Sequence, residues 1–258
     1  MMKDVIKRQD VSSFLFTRFF IAAVAMLLLR PSVVKHLSSD MLGKGAMAGI
    51  FLGSGFILQT FGLEKSSAAI TGFITGLYVV ATPIIASLLL KHQISRRTWG
   101  SVAIATIGLA LLSIHGWAIG TGELLLLGCA IAFACHIICL AHWSGNLDTY
   151  AFTFVQISTS AIMCGIASLF HGYQFPPDIK VWEVAIYCAL FATVAAFFIQ
   201  TWSQARIAPT KVAVILTMEI VFAATFAIIF GGESLSTQVA IGGFLVVLAI
   251  YSIVLEDA

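Results

Sequence analysis

Apolar residues run continuously through most of this chain, and short polar connections interrupt them at regular intervals. Nine apolar spans result, most of them about 18 to 25 residues long, which is enough for a helix to cross a hydrocarbon layer of about 30 Å. They cover 12–29, 45–62, 66–90, 98–115, 123–141, 149–171, 184–204, 212–230 and 238–254. Because the runs are continuous, they do not fit a β-barrel, whose strands alternate over about ten residues. The pattern predicts an all-α polytopic membrane protein with nine transmembrane helices.

Composition agrees with this fold class. The chain is 60% hydrophobic and 10% charged, and its mean hydropathy is +1.01, which excludes an ordinary soluble domain. The basic residues are spread over the connections and form no single face, so no nucleic-acid partner is expected. All five cysteines fall in apolar spans, where cysteine acts as a small hydrophobe and gives no redox information. No cofactor is implied.

Basic residues also predict the orientation of the chain. Counted over alternate connections, they gather on one side, at Arg30, Lys35, Lys44, Lys91, Arg96, Arg97, Arg206 and Lys211. Only Lys65 and Lys180 lie in connections on the other side. By the positive-inside rule the richer side is cytoplasmic, and the C-terminus lies there too. We expect an integral protein of a bacterial cytoplasmic (inner) membrane.

The chain contains an internal repeat. The segment Phe56–Phe61 recurs 141 residues later as Phe197–Trp202, including the polar pair Gln-Thr. A second register, offset by 138 residues, aligns Asp10 with Asp148 and Arg18 with Gln156. A small loop insertion between helices would produce two such registers. We therefore predict two repeats, residues 1–118 with four helices and residues 119–258 with five.

The repeat predicts a tenth helix, because span 123–141 has no counterpart ahead of residue 12. Five helices per half is an odd number, so the two halves would be inverted relative to each other, as in many secondary transporters. With only four helices in the first half, the basic N-terminal stretch would fall on the outer side. We therefore expect Met1 or Met2 to be an internal methionine of a longer reading frame.

The same segments resemble the EamA-type carriers of the drug/metabolite transporter superfamily. The resemblance rests on an aromatic run ending in Arg (Phe14–Arg18), on Gln59–Ala69 and Gln200–Thr210, and on Gly232-Glu233-Ser234-Leu235-Ser236 before Gly242-Gly243. It implies a ten-helix carrier that works by alternating access on amino acids, other metabolites or toxic compounds. The chain departs from the family pattern at His92, where the family has Glu, and after Glu219, where the family often has Pro.

Glu219 is the first candidate site residue, because it lies near the middle of its span. A charge there costs at least about 2.5 to 3.5 kcal/mol on insertion scales. One interpretation is a site for a proton or a substrate amine in a central cavity. The other is a protonated or hydrogen-bonded carboxyl that only ties helices together.

Arg18 is the other charged residue inside a span, about six residues from its start. Its long stem could snorkel to the outer interface. Alternatively, Arg18 holds an anionic group of the substrate or pairs with Glu219.

Gln59 and Gln200, which the repeat relates, could face each other across the pathway and bind substrate, supported by Tyr78, Gln156 and Trp202. The alternative is hydrogen bonding between helices, typically worth about 0.6 to 2 kcal/mol in membranes. Trp202 lies near a span end, where an interfacial position is also typical.

Gly45, Gly49 and Gly53 recur at every fourth position, which indicates a close helix-packing surface. Its neighbour would be a helix of the same chain or, in a homodimer, a second subunit. Cys135-His136-x-x-Cys139 lacks a fourth ligand, so no metal site is expected. No catalytic set is visible, so we do not expect an enzyme.

The sequence as a whole predicts a transporter, an exporter or exchanger of small metabolites or drug-like compounds by alternating access. Its partners would be a small-molecule substrate, the lipid bilayer and, through Glu219, protons. The alternative is a non-transporting membrane protein, such as an inactive paralogue or a partner-binding subunit.

Overall fold

The computed structural model describes residues 5, 7–66, 68–91, 94–113, 120–222, 225 and 237–254. Within these ranges all regular structure is helical. The helices are α1 (Val11–Leu29), α2 (Ser39–Lys65), α3 (Ala68–Gly76), α4 (Tyr78–Leu90), α5 (Arg96–Ser113), α6 (Thr121–Trp143), α7 (Thr149–His171), α8 (Ile179–Ala189), α9 (Ala196–Gln204), α10 (Pro209–Leu216) and α11 (Thr237–Val254). A π-helical segment, Leu190–Ala195, joins α8 to α9, and residues 218–222 are also helical.

Six helical stretches in the described part of the chain are long and apolar enough to cross a membrane. They are Val11–Leu29, Ser39–Lys65, Ile70–Leu89, Thr121–Asn146, Thr149–Phe170 and Ile179–Gln204. A shorter apolar helix covers Ala240–Ser252. The predicted all-helical membrane protein is thus confirmed. The remaining predicted spans are less apolar or less complete: α5 begins with two arginines, and much of 212–230 lies outside the described residues.

Both α1 and α7 begin with an aspartate cap. The carboxylate of Asp10 accepts a hydrogen bond from the N–H of Ser13 at 2.9 Å, and that of Asp148 accepts one from Ala151 at 2.7 Å. Such caps satisfy backbone donors that the first helical turn leaves unpaired. The two caps stand 138 residues apart, in agreement with the second sequence register.

The 141-residue spacing relates two helices of the fold. Residues 96–113 of α5, shifted by 141 positions, fall on α11, whose two ends adjoin residues outside the described ranges. Two helical stretches are also interrupted at similar places, by a turn at Leu77 between α3 and α4 and by a turn at Thr217 after α10. Irregular backbone at membrane depth is tolerated where it is buried in protein or lines a cavity.

The buried apolar residues form two main clusters. One joins α1, α2, α7 and α8 through residues such as Phe14, Leu52 and Ile157. The other joins α4, α5, α6, α10 and α11 through residues such as Val79 and Val246. Each helix therefore has an apolar side that packs against a neighbour, and a space remains between the clusters.

Helix α2 packs on α7 through its glycines. A Cβ atom placed on Gly45 would lie 2.6 Å from Val155, and one on Gly49 would lie 2.6 Å from the carbonyl oxygen of Gln156. A Cβ atom on Gly53 would lie 3.3 Å from both Sδ of Met163 and Cα of Ser160. The predicted packing surface therefore meets a helix of the same chain.

The ends of α1 are tied to neighbouring segments by charged and polar groups. Arg8 pairs with Asp178 near one end, and Arg30 donates to both carboxylate oxygens of Asp148 at 3.2 Å near the other. Burial raises the pKa of Asp148, but the N–H of Ala151 and the Arg30 guanidinium outweigh it and hold this pKa below its ordinary value. Helix α1 is thus fastened at both ends.

Candidate functional site

A cavity of about 520 Å³ lies between the two apolar clusters. Residues from α1, α2, α3, α4, α6, the stretch from α8 to α9, α10 and the helical residues 218–222 line it. They are Arg18, Phe56, Gln59, Thr75, Tyr78, Phe133, His136, Ile137, Cys188, Ala192, Ala196, Phe197, Gln200, Leu216 and Glu219. The size suits a small molecule, and the wall combines aromatic rings with a few polar groups, as is typical of ligand sites.

Much of the cavity wall consists of positions related by the sequence repeat. Four pairs of lining residues are each separated by 141 positions: Phe56 and Phe197, Gln59 and Gln200, Thr75 and Leu216, and Tyr78 and Glu219. The rings of the Phe pair contact each other edge to face, with centroids 5.9 Å apart. The last two pairs differ in chemistry, so the wall offers a carboxyl at Glu219 where its counterpart is a phenol.

The amides of Gln59 and Gln200 are available to a molecule in the cavity. Both side chains are half-buried and line the cavity, and neither is hydrogen-bonded to another residue that the structure describes. Their neighbours in sequence, Thr60 and Thr201, instead donate to the carbonyls of Phe56 and Phe197 within their own helices. The two amides therefore do not tie described helices together.

Arg18 turns into the protein. Its residue surface is 4% exposed, its Nε donates to Oγ1 of Thr193 at 2.8 Å, and its Nη2 donates to the carbonyl of Ala192 at 3.0 Å. The guanidinium also lies 4.6 Å from the ring centroid of Phe56, a cation–π arrangement. This geometry corrects the snorkelling interpretation, because the charged end contacts the π-helical segment and not the membrane interface.

Glu219 lines the same cavity as Arg18. Within the described part of the chain the two charges form no ion pair. The sequence-based alternative of a direct pair is therefore absent from this structure. The cavity wall therefore carries a guanidinium and a carboxyl that do not contact each other directly.

Two of the seven candidate residues lie outside the cavity wall. Trp202 is 48% exposed near the end of α9, with the Arg206 guanidinium 4.3 Å from the centre of its indole ring. Gln156 is fully buried behind the wall, where its Oε1 lies 2.8 Å from Nε2 of His136. The structure thus brings together Arg18, Gln59, Tyr78, Gln200 and Glu219.

The structure adds polar and aromatic wall residues that sequence reasoning did not select. His136, 1% exposed, reaches the cavity from α6 with its ring edge to face on Phe197. Phe133, one helical turn earlier, stacks edge to face on Phe56. The spacing of these two residues on one face of α6 is the only sequence signal, and it is also typical of ordinary packing.

No group of three or more His, Cys, Asp or Glu side chains suited to a metal ion occurs among the described residues. The five cysteines are free. The predicted departures at His92 and the motif Gly232–Ser236 lie outside the described residues. The functional interpretation therefore depends on the cavity.

Comparison with known proteins gives matches along almost the whole chain. The model of the EamA-like transporter family matches residues 1–114 and again residues 120–255. An uncharacterized transporter of Archaeoglobus fulgidus is 31% identical over 243 residues, which cover 93% of this chain and 76% of that protein. A WAT1-related protein of Arabidopsis thaliana is 24% identical over 94% of this chain and 77% of its own length. A crystal structure with 15% sequence identity superposes with a TM-score of 0.78, over 95% of this chain and 86% of that one, which supports the fold alone.

Proposed function

This chain belongs to the EamA-like transporter family, and we propose that it exports or exchanges a small polar or amphipathic metabolite by alternating access. The observation that carries the proposal is the cavity of about 520 Å³, whose wall contains an unpaired Arg18 and Glu219. Charged groups at membrane depth are costly and typically mark substrate or ion pathways.

Alternating access would use two inverted halves, residues 1–118 and 119–258. The four pairs of lining residues spaced by 141 positions support this proposal, since a site on a pseudo-two-fold axis is lined by related positions of the two repeats. Rocking one half against the other would expose the same site first to one side of the membrane and then to the other.

The polar wall suggests how substrate is held. Arg18 would bind an anionic group, because a guanidinium offers several donors and two of its hydrogen bonds already fix its position. Glu219 would bind an amine of the substrate or exchange a proton. Gln59 and Gln200, whose amides are available, would bind the polar middle of the molecule.

The membrane would be a bacterial cytoplasmic membrane, with the C-terminus inside. This proposal rests on the excess of Lys and Arg in connections on that side.

A release experiment tests the proposal. Cells that overproduce the chain are compared with vector-only cells by mass spectrometry of the metabolites in the medium. We expect at least one metabolite enriched outside, and we expect Glu219→Gln to reduce the enrichment by about tenfold or more, as for a lost charged contact. The matched control is Glu183→Gln, which changes an exposed carboxyl on α8 away from the cavity.

The outcomes separate the parts of the proposal. A medium identical to that of vector-only cells, at equal expression, would contradict export of any metabolite those cells make. Equal release by the parent and Glu219→Gln would leave transport supported and remove Glu219 from the site.

A further inference from the structure

His136 lies in the cavity wall, yet the proposed transport site does not assign it a role. We infer that His136 is a substrate contact, that Gln156 is the residue that positions it, and that the substrate presents a hydrogen-bond donor to it, such as a hydroxyl or an amine. This inference rests on the proposed function and extends it to the chemical class of the substrate.

The hydrogen bond to Gln156 fixes which ring nitrogen can act. Nε2 of His136 lies 2.8 Å from Oε1 of Gln156, and with the amide assigned in this orientation Nε2 carries the proton, because a carboxamide oxygen only accepts. In the neutral ring the remaining nitrogen, Nδ1, is then an acceptor. It has no hydrogen-bond partner among the residues that the structure describes.

The repeat gives a second, independent reason. In the first half, Arg18 lies against Phe56, and in the second half, His136 lies against the related Phe197. Gln156, which holds His136, stands 138 residues after Arg18, in the register that also relates the two aspartate caps. His136 with Gln156 therefore occupies in one half the place that Arg18 occupies in the other.

The pair formed by His136 and Gln156 is unfavourable if its only role is to pack α6 against α7. The amide nitrogen of Gln156 is buried without a partner, and an unsatisfied buried donor is unfavourable. Two apolar side chains of similar size would join α6 to α7 without that penalty. Groups that violate local packing rules in this way are expected at functional sites.

Chemical labelling tests whether His136 is presented to the cavity. The purified chain in lipid nanodiscs is treated with diethyl pyrocarbonate, which acylates neutral imidazoles, and with N-ethylmaleimide, which reports entry through Cys188 in the same wall. We expect mass spectrometry to find both residues modified, with the exposed His142 as the positive control. A modified Cys188 with an unmodified His136 would overturn the inference, and two unmodified residues would overturn both it and the proposed function.

Two isosteric substitutions then separate contact from packing. His136→Asn keeps an acceptor near the Nδ1 position and loses the bond to Gln156, whereas His136→Gln keeps a group near Nε2 and loses Nδ1. A substrate contact predicts that His136→Asn retains more metabolite release than His136→Gln, by about tenfold for one lost hydrogen bond. A purely structural tie predicts the opposite order.

Further measurements complete the test. Gln156→Leu should lower release while leaving His136 open to the labelling reagent, and His142→Gln on the same helix should match the parent. Equal release by both His136 variants, or better release by His136→Gln, would overturn the inference. A parent that releases nothing would contradict the proposed function, and the labelling result would still decide whether His136 is presented.

Discussion

Arg18 is held by a hydroxyl and a carbonyl of a π-helical segment, with no carboxylate partner among the described residues. Such π-segments are rare and frequently lie at functional sites. Thr193, which accepts from Arg18, itself donates to the carbonyl of Cys188 five residues earlier. The side chain of Arg18 therefore joins α1 to the wall of the cavity through one well-defined contact.

Substitution of Arg18 should affect stability and transport together. Arg18→Lys replaces a rigid fork of donors by a single ammonium, so one of the two acceptors is left unpaired. We expect a loss of about 1.5 to 3 kcal/mol in the free energy of unfolding, measured in detergent, and loss of metabolite release.

The matched variant Thr193→Val removes one acceptor and keeps the guanidinium. It should lose about 1 to 2 kcal/mol and retain part of the release. A variant Arg18→Lys with parental stability would show that the contact with the π-helical segment contributes little.

Among single residues of the cavity wall, the sequence indicates the charged and amide side chains well and the aromatic ones poorly. Arg18, Gln59, Gln200 and Glu219 stand out because polar groups are rare in apolar spans, and all four line the cavity. His136 does not stand out, because its sequence position near Cys135 and Cys139 fits a residue packed between helices as well as a residue of the cavity wall. Trp202 directly follows the repeated pair Gln200-Thr201 in sequence, but its position near the end of α9 places it at the surface.

Glycines on α2 allow this helix to pack closely against α7. At Gly49 a methyl group would meet the backbone of α7, which cannot move as a flexible side chain can. At Gly43, on the same helix, it would meet nothing within 4 Å.

Gly49→Ala should therefore destabilise the protein by about 1 to 3 kcal/mol through overpacking. Gly43→Ala should be neutral or stabilise it by up to about 1 kcal/mol, because Ala is the better helix former. Thermal unfolding of both variants in the same detergent measures the difference. Equal stabilities would contradict the close contact between α2 and α7.

The aspartate cap of α7 gives a prediction about pH. Asp148→Asn keeps a capping side chain but loses the ion pair with Arg30, which is partly exposed and worth about 0.2 to 1 kcal/mol. The pKa of Asp148 is lowered in the folded state, so the contribution is present at neutral pH and is lost as the pH falls through that lowered value.

The parent and Asp148→Asn should therefore differ in stability at pH 7, and the difference should begin to shrink below about pH 4 and disappear once the pH is below the lowered pKa of Asp148. Asp10→Asn, at the related cap of α1, serves as the control. Unfolding curves recorded from pH 7 into the acid range measure the difference in stability. A difference that stays the same in acid would contradict the role of the ion pair.

Element bounds could be predicted where the apolar runs are uninterrupted, as in α1, α6 and α7. The break at Thr217 could not, because neither it nor its neighbours Leu216 and Met218 is Gly or Pro. The break at Leu77 follows Gly76, but glycines also occur inside the uninterrupted helix α2, so the signal is weak. The π-helical segment Leu190–Ala195 has no sequence signal either, and its contact with Arg18 joins residues far apart in the chain.

For the whole molecule, the 141-residue repeat connects the sequence with the cavity. It relates four pairs of wall residues, and it places α5 in register with α11. It does not reveal the substrate, because related positions such as Tyr78 and Glu219 carry different side chains. We propose that this cavity opens alternately to the two sides of the membrane.

Cys188 provides the most direct test, because this thiol lines the cavity. A variant that retains only Cys188 is prepared as right-side-out and as inside-out membrane vesicles, and each is treated with a membrane-impermeant maleimide. A variant that retains only Cys135, which is absent from the cavity wall, is the control. We expect labelling of Cys188 from both sides and weak labelling of Cys135. Labelling of Cys188 from one side only, or from neither, would contradict alternating access through this cavity.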